Sequence, residues 1–488
     1  VLFYSFEFMY LFLPLVLCGY FALARYSGGG SARVLLVLSS LAFYGWWDYK
    51  YIALIVPSIT FNYVLGERLL KYGHRGLLAF GVACNLALIG YYKYANFFVD
   101  TVNSLAGSEY VIRQIALPLA ISFFTFQQIA WLVDCNAKRI NRSHESPLSY
   151  CLFVLFFPQL IAGPIVHHSE MMPQFSKSET LRFDWSNFAV GLSFFIIGLG
   201  KKVIIADNVA PYSNAVFDVA EAGTAVSTGD AWVGVLAYTS QIYFDFSGYA
   251  DMAIGLAKMF NIDLPINFNS PYKAKSISDF WRRWHMTLSR FLRDYIYIPC
   301  GGNRKGEWKR QRNLMITMLL GGLWHGASWN FVIWGALHGL YLVINHTWTR
   351  LVKVHLPWFI SWGLTFLVVV IAWVFFRATS FDAAIRIIEA MLTLTRSLNL
   401  TLVGDEAVWL VMASLAVAFL LPNSQQLLNR QEFLPSRQGE VRQSDGWLSI
   451  ISLNRNFVSL FFLQATALIS IWYLLDQNSL QEFIYFQF

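Results

Sequence analysis

Two histidines lie in a stretch of the chain where almost nothing else titrates. Residues 315–342 read M-I-T-M-L-L-G-G-L-W-H-G-A-S-W-N-F-V-I-W-G-A-L-H-G-L-Y-L, with His325 and His338 as the strongly titratable side chains. An ionisable group at bilayer depth costs at least ~2 kcal/mol, so its presence there calls for a function. His325 has Gly321, Gly322, Gly326 and Ala327 around it, which let another molecule approach the imidazole, and Trp324 beside it to shield the ring from lipid. Histidine suits the transfer of an acyl group to a hydroxyl. Its pKa near neutrality lets it remove the hydroxyl proton and return a proton to the leaving thiolate. The plainer alternative is a core histidine satisfied by packing, and these residues alone leave that open.

A third histidine stands out by its position. Ser276-Ile277-Ser278-Asp279 resembles a capping box, and Phe280 to Tyr295 continues with helical spacing. Trp281, Trp284, His285, Leu288, Phe291, Leu292 and Tyr295 share one face, while Arg282, Arg283, Arg290 and Asp294 fall largely elsewhere. The pattern predicts one amphipathic helix that lies at the interface or dips into the protein, with His285 on its apolar stripe. The apolar segment Ala231–Phe260 adds Gln241, Asp245, Ser247 and Asp251, with Gln241 and Asp245 one turn apart on the same face. A carboxylate there must face a cavity or a partner, and a structural bond fixing two helices is a better reason for it than direct catalysis.

Other motifs carry less. His167-His168 with Glu170 has the composition of a metal site, but adjacent side chains on a regular element point apart, so an interfacial loop is expected and no metal. No G-x-S-x-G, P-loop, GxGxxG or HExxH occurs. Cys18, Cys84, Cys135, Cys151 and Cys300 form no CxxC pair and suggest neither a metal site nor a disulfide framework.

The elements that must position these residues follow from composition. Of 488 residues 56% are apolar and 13% charged, against about 25% charged in an average soluble domain. Apolar segments fall at roughly 2–24, 34–47, 51–66, 77–92, 115–134, 150–166, 188–206, 231–260, 314–344 (long enough for two), 358–376, 407–421 and 457–475. They predict an all-α polytopic membrane protein with about 10–13 spans or re-entrant pieces, in one membrane-embedded domain over 1–488. Ala22-Leu23-Ala24 looks like a signal cleavage site, but Val1–Tyr10 carries Glu7 and no Lys or Arg, so the first segment reads as a retained helix.

The net charge of +7 is spread between apolar segments, which fits the positive-inside rule and speaks against nucleic acid as a partner. Three stretches are polar enough for loops or surface helices: His167–Trp185, Asn423–Asn456 and Asn261–Asn313. Within 273–312 eleven basic residues face three acids, which places this loop on the cytoplasmic side.

Five runs together carry a family resemblance: Y-F-D-F-S-G-Y-A-D-M-A-I-G-L (243–256), N-F-N-S-P-Y (267–272), F-W-R-R-W-H-M-T-L-S-R-F-L-R-D-Y-I-Y-I (280–298), G-G-N-R (301–304) and L-L-G-G-L-W-H-G-A (319–327). With A-F-Y-G-W-W (42–47), G-Y-Y-K-Y-A-N-F (90–97), L-P-L-A-I-S-F-F-T-F (117–126) and L-I-A-G-P (160–164), the chain resembles the membrane-bound O-acyltransferase (MBOAT) family. The closing F-I-Y-F-Q-F agrees as well. The resemblance implies a helical bundle around a central tunnel. It makes His325 the catalytic histidine and His285 the second functional one. In animal members an asparagine often fills the second place, so the resemblance leaves His285 between acid–base work and positioning.

Asp245, Gln241 and Trp324 are then expected to support the tunnel. The resemblance further implies a protein of the bacterial inner membrane. It would move acetyl groups from a cytoplasmic donor, acetyl-CoA or an acyl carrier, for O-acetylation of an exopolysaccharide, with alginate the expected polymer. The donor is a co-substrate, no cofactor is bound permanently, and periplasmic acyltransferases are the expected partners besides the lipid bilayer. D-alanyl transfer to teichoic acid is the nearest rival. A proton-coupled transporter using His325 and Asp245 is the rival of another class, against which stands the absence of repeated halves.

Overall fold

The computed structural model describes residues 2–111, 115–140, 146–352, 354, 356–393, 399–428, 457–476 and 483–484, with only the backbone described for 457–462 and 476. Among them every regular element is a helix and there is no strand. Apolar segments in lipid must satisfy their backbone groups internally, which a helix does within one segment. Among the described residues five helices are long and apolar enough to cross a membrane: Phe8–Tyr26, Tyr49–Tyr72, Arg75–Ala106, Trp185–Glu221 and Trp358–Arg377. The other expected segments are also helical, but several are shorter, such as Gly29–Gly45, or more polar, such as Thr228–Met259 and Glu307–His325.

The chain divides into two compact units, residues 1–195 with 250–265, and residues 196–249 with 266–488. The first unit has an aromatic core in which Phe8, Phe12, Phe43 and Phe157 meet ring to ring at 5.4–6.0 Å. Some of its buried polar side chains pair with one another, which lowers the cost of burying them. Asn62 and Asn85 exchange amide hydrogen bonds, and His168 Nε2 lies 3.1 Å from Asp134 Oδ2. His167 instead caps the helix His168–Ser176 in a reciprocal box with Glu170. The adjacent histidines thus serve different neighbours. The expected interfacial loop is here a capped helix.

The second unit holds the candidate site. Its helices approach closely through glycine, as helices packed in lipid do. A Cβ on Gly322 would meet the Phe331 carbonyl oxygen at 2.2 Å, and one on Gly335 would meet the Met318 carbonyl oxygen at 2.4 Å. These glycines bring Glu307–His325 and Trp329–Leu351 backbone to backbone. Asp230, fully buried, closes the far end of Thr228–Met259. Its carboxylate accepts from the Ser227 and Thr401 hydroxyls and from the backbone N–H groups of Thr401, Leu402 and Val403, at 2.7–3.3 Å. The expected Asn423–Asn456 loop lies outside the described residues from 429 onward.

Candidate active site

His325 is the last residue of the helix Glu307–His325, which stops because Gly326 turns extended at φ −159° and ψ 154°. Ser328 then precedes the next helix, Trp329–Leu351. The break puts the imidazole at a helix end, not on a continuous flank. His325 and His338, both within the apolar segment 314–344 that was long enough for two, are on different helices. The His325 ring is 4% exposed and enclosed by aromatic side chains. Trp324, Trp334 and Phe376 lie at 4.9, 5.0 and 5.1 Å between ring centroids.

The expected helix from Phe280 to Tyr295 is not continuous. Ser276 caps its start by accepting the Asp279 N–H, but the first helix ends at Arg283 and a second runs Met286–Leu292. Between them Trp284 is extended, and His285 is left-handed at φ 41° and ψ 53°. The cause is a segment distant in sequence. The Asn269 N–H donates to the Arg283 carbonyl and the Met286 N–H to the Asn267 carbonyl, each at 2.9 Å. These bonds hold the chain open where a helix would have bonded to itself.

The left-handed turn aims His285 inward, and it is fully buried. Its ring packs on Phe246 at 4.8 Å and Trp324 at 5.9 Å, and stands 6.4 Å from the His325 ring between centroids. The structure thus brings His285, His325 and Trp324 together. His285 Nδ1 lies 3.0 Å from Asn267 Oδ1, which also accepts from the Thr287 hydroxyl at 2.9 Å and the Thr287 N–H at 3.3 Å.

Asp245 is 1% exposed and has the partner its burial requires. Lys202 Nζ lies 2.7 Å from Asp245 and 2.8 Å from Asp207, and Asp245 also accepts the Ile484 N–H at 2.9 Å. Phe483 beside it stacks on Tyr249 and meets Phe246, the ring that also touches His285. Asp245 therefore borders the histidines through one aromatic layer, without facing them directly. Gln241 is buried one turn away in the same helix.

Sequence reasoning did not single out Lys202, Asp207 or Asn267. Lys202 carried a signal, being a lysine inside the apolar segment 188–206, where the cost that marked Asp245 applies equally. His338 proves fully buried, with its Nδ1 accepting from Trp281 Nε1 at 3.3 Å and its ring 4.7 Å from Trp334. It belongs to the wall that supports His325. Among the described residues no group of three or more His, Cys, Asp or Glu is arranged to hold a metal ion.

Two enclosed imidazoles, one at a helix end and one in a forced turn, form a dry pair of nitrogen bases suited to proton transfer. Comparison with known proteins gives that arrangement a context. Residues 79–381, which include both histidines, match the family model described as MBOAT, membrane-bound O-acyltransferase family. A Helicobacter pylori protein named "Peptidoglycan O-acetyltransferase" is 46% identical, over 79% of this chain and 79% of the relative. A Pseudomonas aeruginosa protein named "Probable alginate O-acetylase AlgI" is 41% identical, over 86% of this chain and 81% of the relative. A Bacillus subtilis protein named "Teichoic acid D-alanyltransferase" is 29% identical, over 46% of this chain and 57% of the relative. Matched over well over half its length by the family model, and along most of it by such relatives, this chain belongs to the membrane-bound O-acyltransferase family and is a multi-pass membrane O-acyltransferase.

Proposed function

We propose that the protein transfers acetyl groups for the O-acetylation of a polysaccharide outside the cytoplasm, with His325 as the general base. The observation that carries this reading is the enclosure of His325 at a helix end within 6.4 Å of His285, ring centroid to centroid. His325 removes the proton from the acceptor hydroxyl as its oxygen attacks the acetyl carbonyl. The tetrahedral intermediate then collapses, the carbon–sulfur bond of a thioester donor breaks, and the thiolate takes the proton back from the imidazolium. Excluding water from such a site protects the acyl group from hydrolysis. Trp324, Trp334 and Phe376 supply that exclusion.

The donor, acetyl-CoA or an acyl carrier, enters from the side bearing the basic loop 273–312 and is a co-substrate, with no cofactor held permanently. The hydroxyl acetylated at His325 belongs to a periplasmic acyltransferase partner reaching the site from the outer side of the inner membrane, and the partner passes the acetyl group on to a sugar hydroxyl of the polymer. Asp245 and Gln241 brace the wall of the central tunnel. Alginate is the polymer expected from the sequence, and the peptidoglycan relative, at higher identity than the alginate one, supports the cell-wall polymer equally well. Both offer sugar hydroxyls as acceptors.

The test is a deletion strain complemented with the native protein or His325→Ala at matched membrane levels. Ester-linked acetate is then released from purified peptidoglycan and from secreted polysaccharide. The native protein restores acetate in one polymer, which identifies the acceptor, and His325→Ala restores in neither. Near-normal acetylation by His325→Ala would remove the centre of the mechanism.

A further inference from the structure

We infer that Asn267 is a positioning residue that fixes which nitrogen of His285 carries the proton, and so makes Nε2 the basic nitrogen of that ring. This rests on the acyl-transfer reading above. Asn267 is the first residue of the N-F-N-S-P-Y motif and is almost fully buried. Its side-chain oxygen gathers three donors from the turn that carries His285: the Thr287 N–H at 3.3 Å, the Thr287 hydroxyl at 2.9 Å and His285 Nδ1 at 3.0 Å.

The identity of the atom facing the turn follows from the backbone. A peptide N–H can only donate, so the Asn267 atom it meets is the carbonyl oxygen and not the amide nitrogen. That oxygen can only accept. His285 Nδ1, bonded to the same oxygen, therefore carries its hydrogen. In a neutral imidazole the other nitrogen, Nε2, then holds the lone pair. The backbone carbonyl of Asn267 adds a fourth bond, to the Met286 N–H at 2.9 Å. One residue thus clamps both the left-handed main chain at His285 and the tautomer of its ring.

The aromatic groups that pack on the ring do not compete for this choice. Phe246, Phe268 and Trp324 pack on it and do not titrate in the working range. The His325 ring stands 6.4 Å away between centroids. A wrong tautomer would turn an N–H toward a group that needs a base, with the geometry otherwise intact. The expected cost is of the order of a missing general base, about 10²-fold or more.

The experiment uses the full-length protein in lipid nanodiscs with nitrogen-15-labelled histidine, in which Nδ1–H and Nε2–H imidazoles resonate apart. His285 is identified by the signal lost in His285→Gln. We expect native His285 protonated on Nδ1. Asn267→Ala should mix the tautomers and lower polymer acetylation in cells at least tenfold. Asn267→Asp, which keeps an accepting oxygen, should hold the Nδ1–H tautomer and recover most of the acetylation. Native His285 found protonated on Nε2 would overturn the inference, even if Asn267→Ala fails to fold. So would Asn267→Ala with an unchanged tautomer, or with acetylation within twofold of native while His325→Ala has none. If His325→Ala itself acetylates normally, the acyl-transfer reading fails, and the tautomer measurement still decides the role of Asn267.

Discussion

The buried charges beside the site make an order of damage predictable. Lys202 lies between Asp207 and Asp245 at 2.8 and 2.7 Å, and all three side chains are at most 5% exposed. One cation serves two carboxylates, so the three positions are not equivalent. Lys202→Met keeps the stem but leaves two carboxylates buried together without a counter-charge. Breaking a buried pair in this way costs about 3–5 kcal/mol. Asp245→Asn leaves Lys202 paired with Asp207 and keeps a carbonyl oxygen for the Ile484 N–H. It exchanges a charged acceptor for a neutral one, worth about 1 kcal/mol. Asp245→Ala loses the acceptor altogether and falls between. The assay is folded yield by fluorescence-detected size exclusion with thermal midpoint in detergent, alongside acetylation per folded molecule. Lys202→Met should lower the midpoint by roughly 5–10 °C, and Asp245→Asn by far less. Asp245→Ala should lower yield more than turnover. Asp245→Asn as damaging as Lys202→Met would refute the charge balance, and Asp245→Ala with full yield and no turnover would show that the carboxylate takes part in the reaction.

Three further outcomes follow from contacts elsewhere in the second unit. His338→Ala removes the acceptor of the Trp281 indole N–H and opens a gap beside Trp334, so it should cost about 2–4 kcal/mol of stability while acetylation per folded molecule stays close to native. A loss of turnover as deep as that of His325→Ala, at unchanged stability, would contradict this. Asp230→Ala strips the acceptor from three backbone N–H groups, and limited proteolysis at Thr401–Val403 should accelerate several-fold. Gly322→Ala sets a methyl group 2.2 Å from the Phe331 carbonyl oxygen, which must push apart the helices that carry His325 and His338. Acetylation should drop at least tenfold, and native activity in this variant would mean that the close crossing does not govern the site.

How much the sequence discloses depends on how local the cause is. Apolar segments announced helices because lipid leaves the backbone little choice, and the length of 314–344 allowed for two helices, between which the break at Gly326 parts His325 from His338. The burial of His285 and Asp245 was legible from their apolar neighbours. The break at Trp284–His285 was not, because a single left-handed residue leaves the apolar spacing on either side intact. Its cause lies in bonds from Asn267 and Asn269, which no local pattern records. The partner of Asp245 was hidden for the same reason. Lys202 and Ile484 reach it from distant parts of the chain.

The left-handed backbone at His285 also limits which residues the position can accept. That conformation costs an ordinary L-residue about 1–2 kcal/mol, and asparagine, aspartate and histidine are the side chains that tolerate it best. The asparagine that the resemblance implies for some members of the family is therefore a change within the small set that the main chain permits. His285→Asn and His285→Val remove the same imidazole, yet only valine adds a branched β-carbon where the turn has no room. His285→Asn should accumulate at native levels and His285→Val should not. A substitution series at this position reports on the fold as much as on the reaction, and only its asparagine member isolates the chemistry.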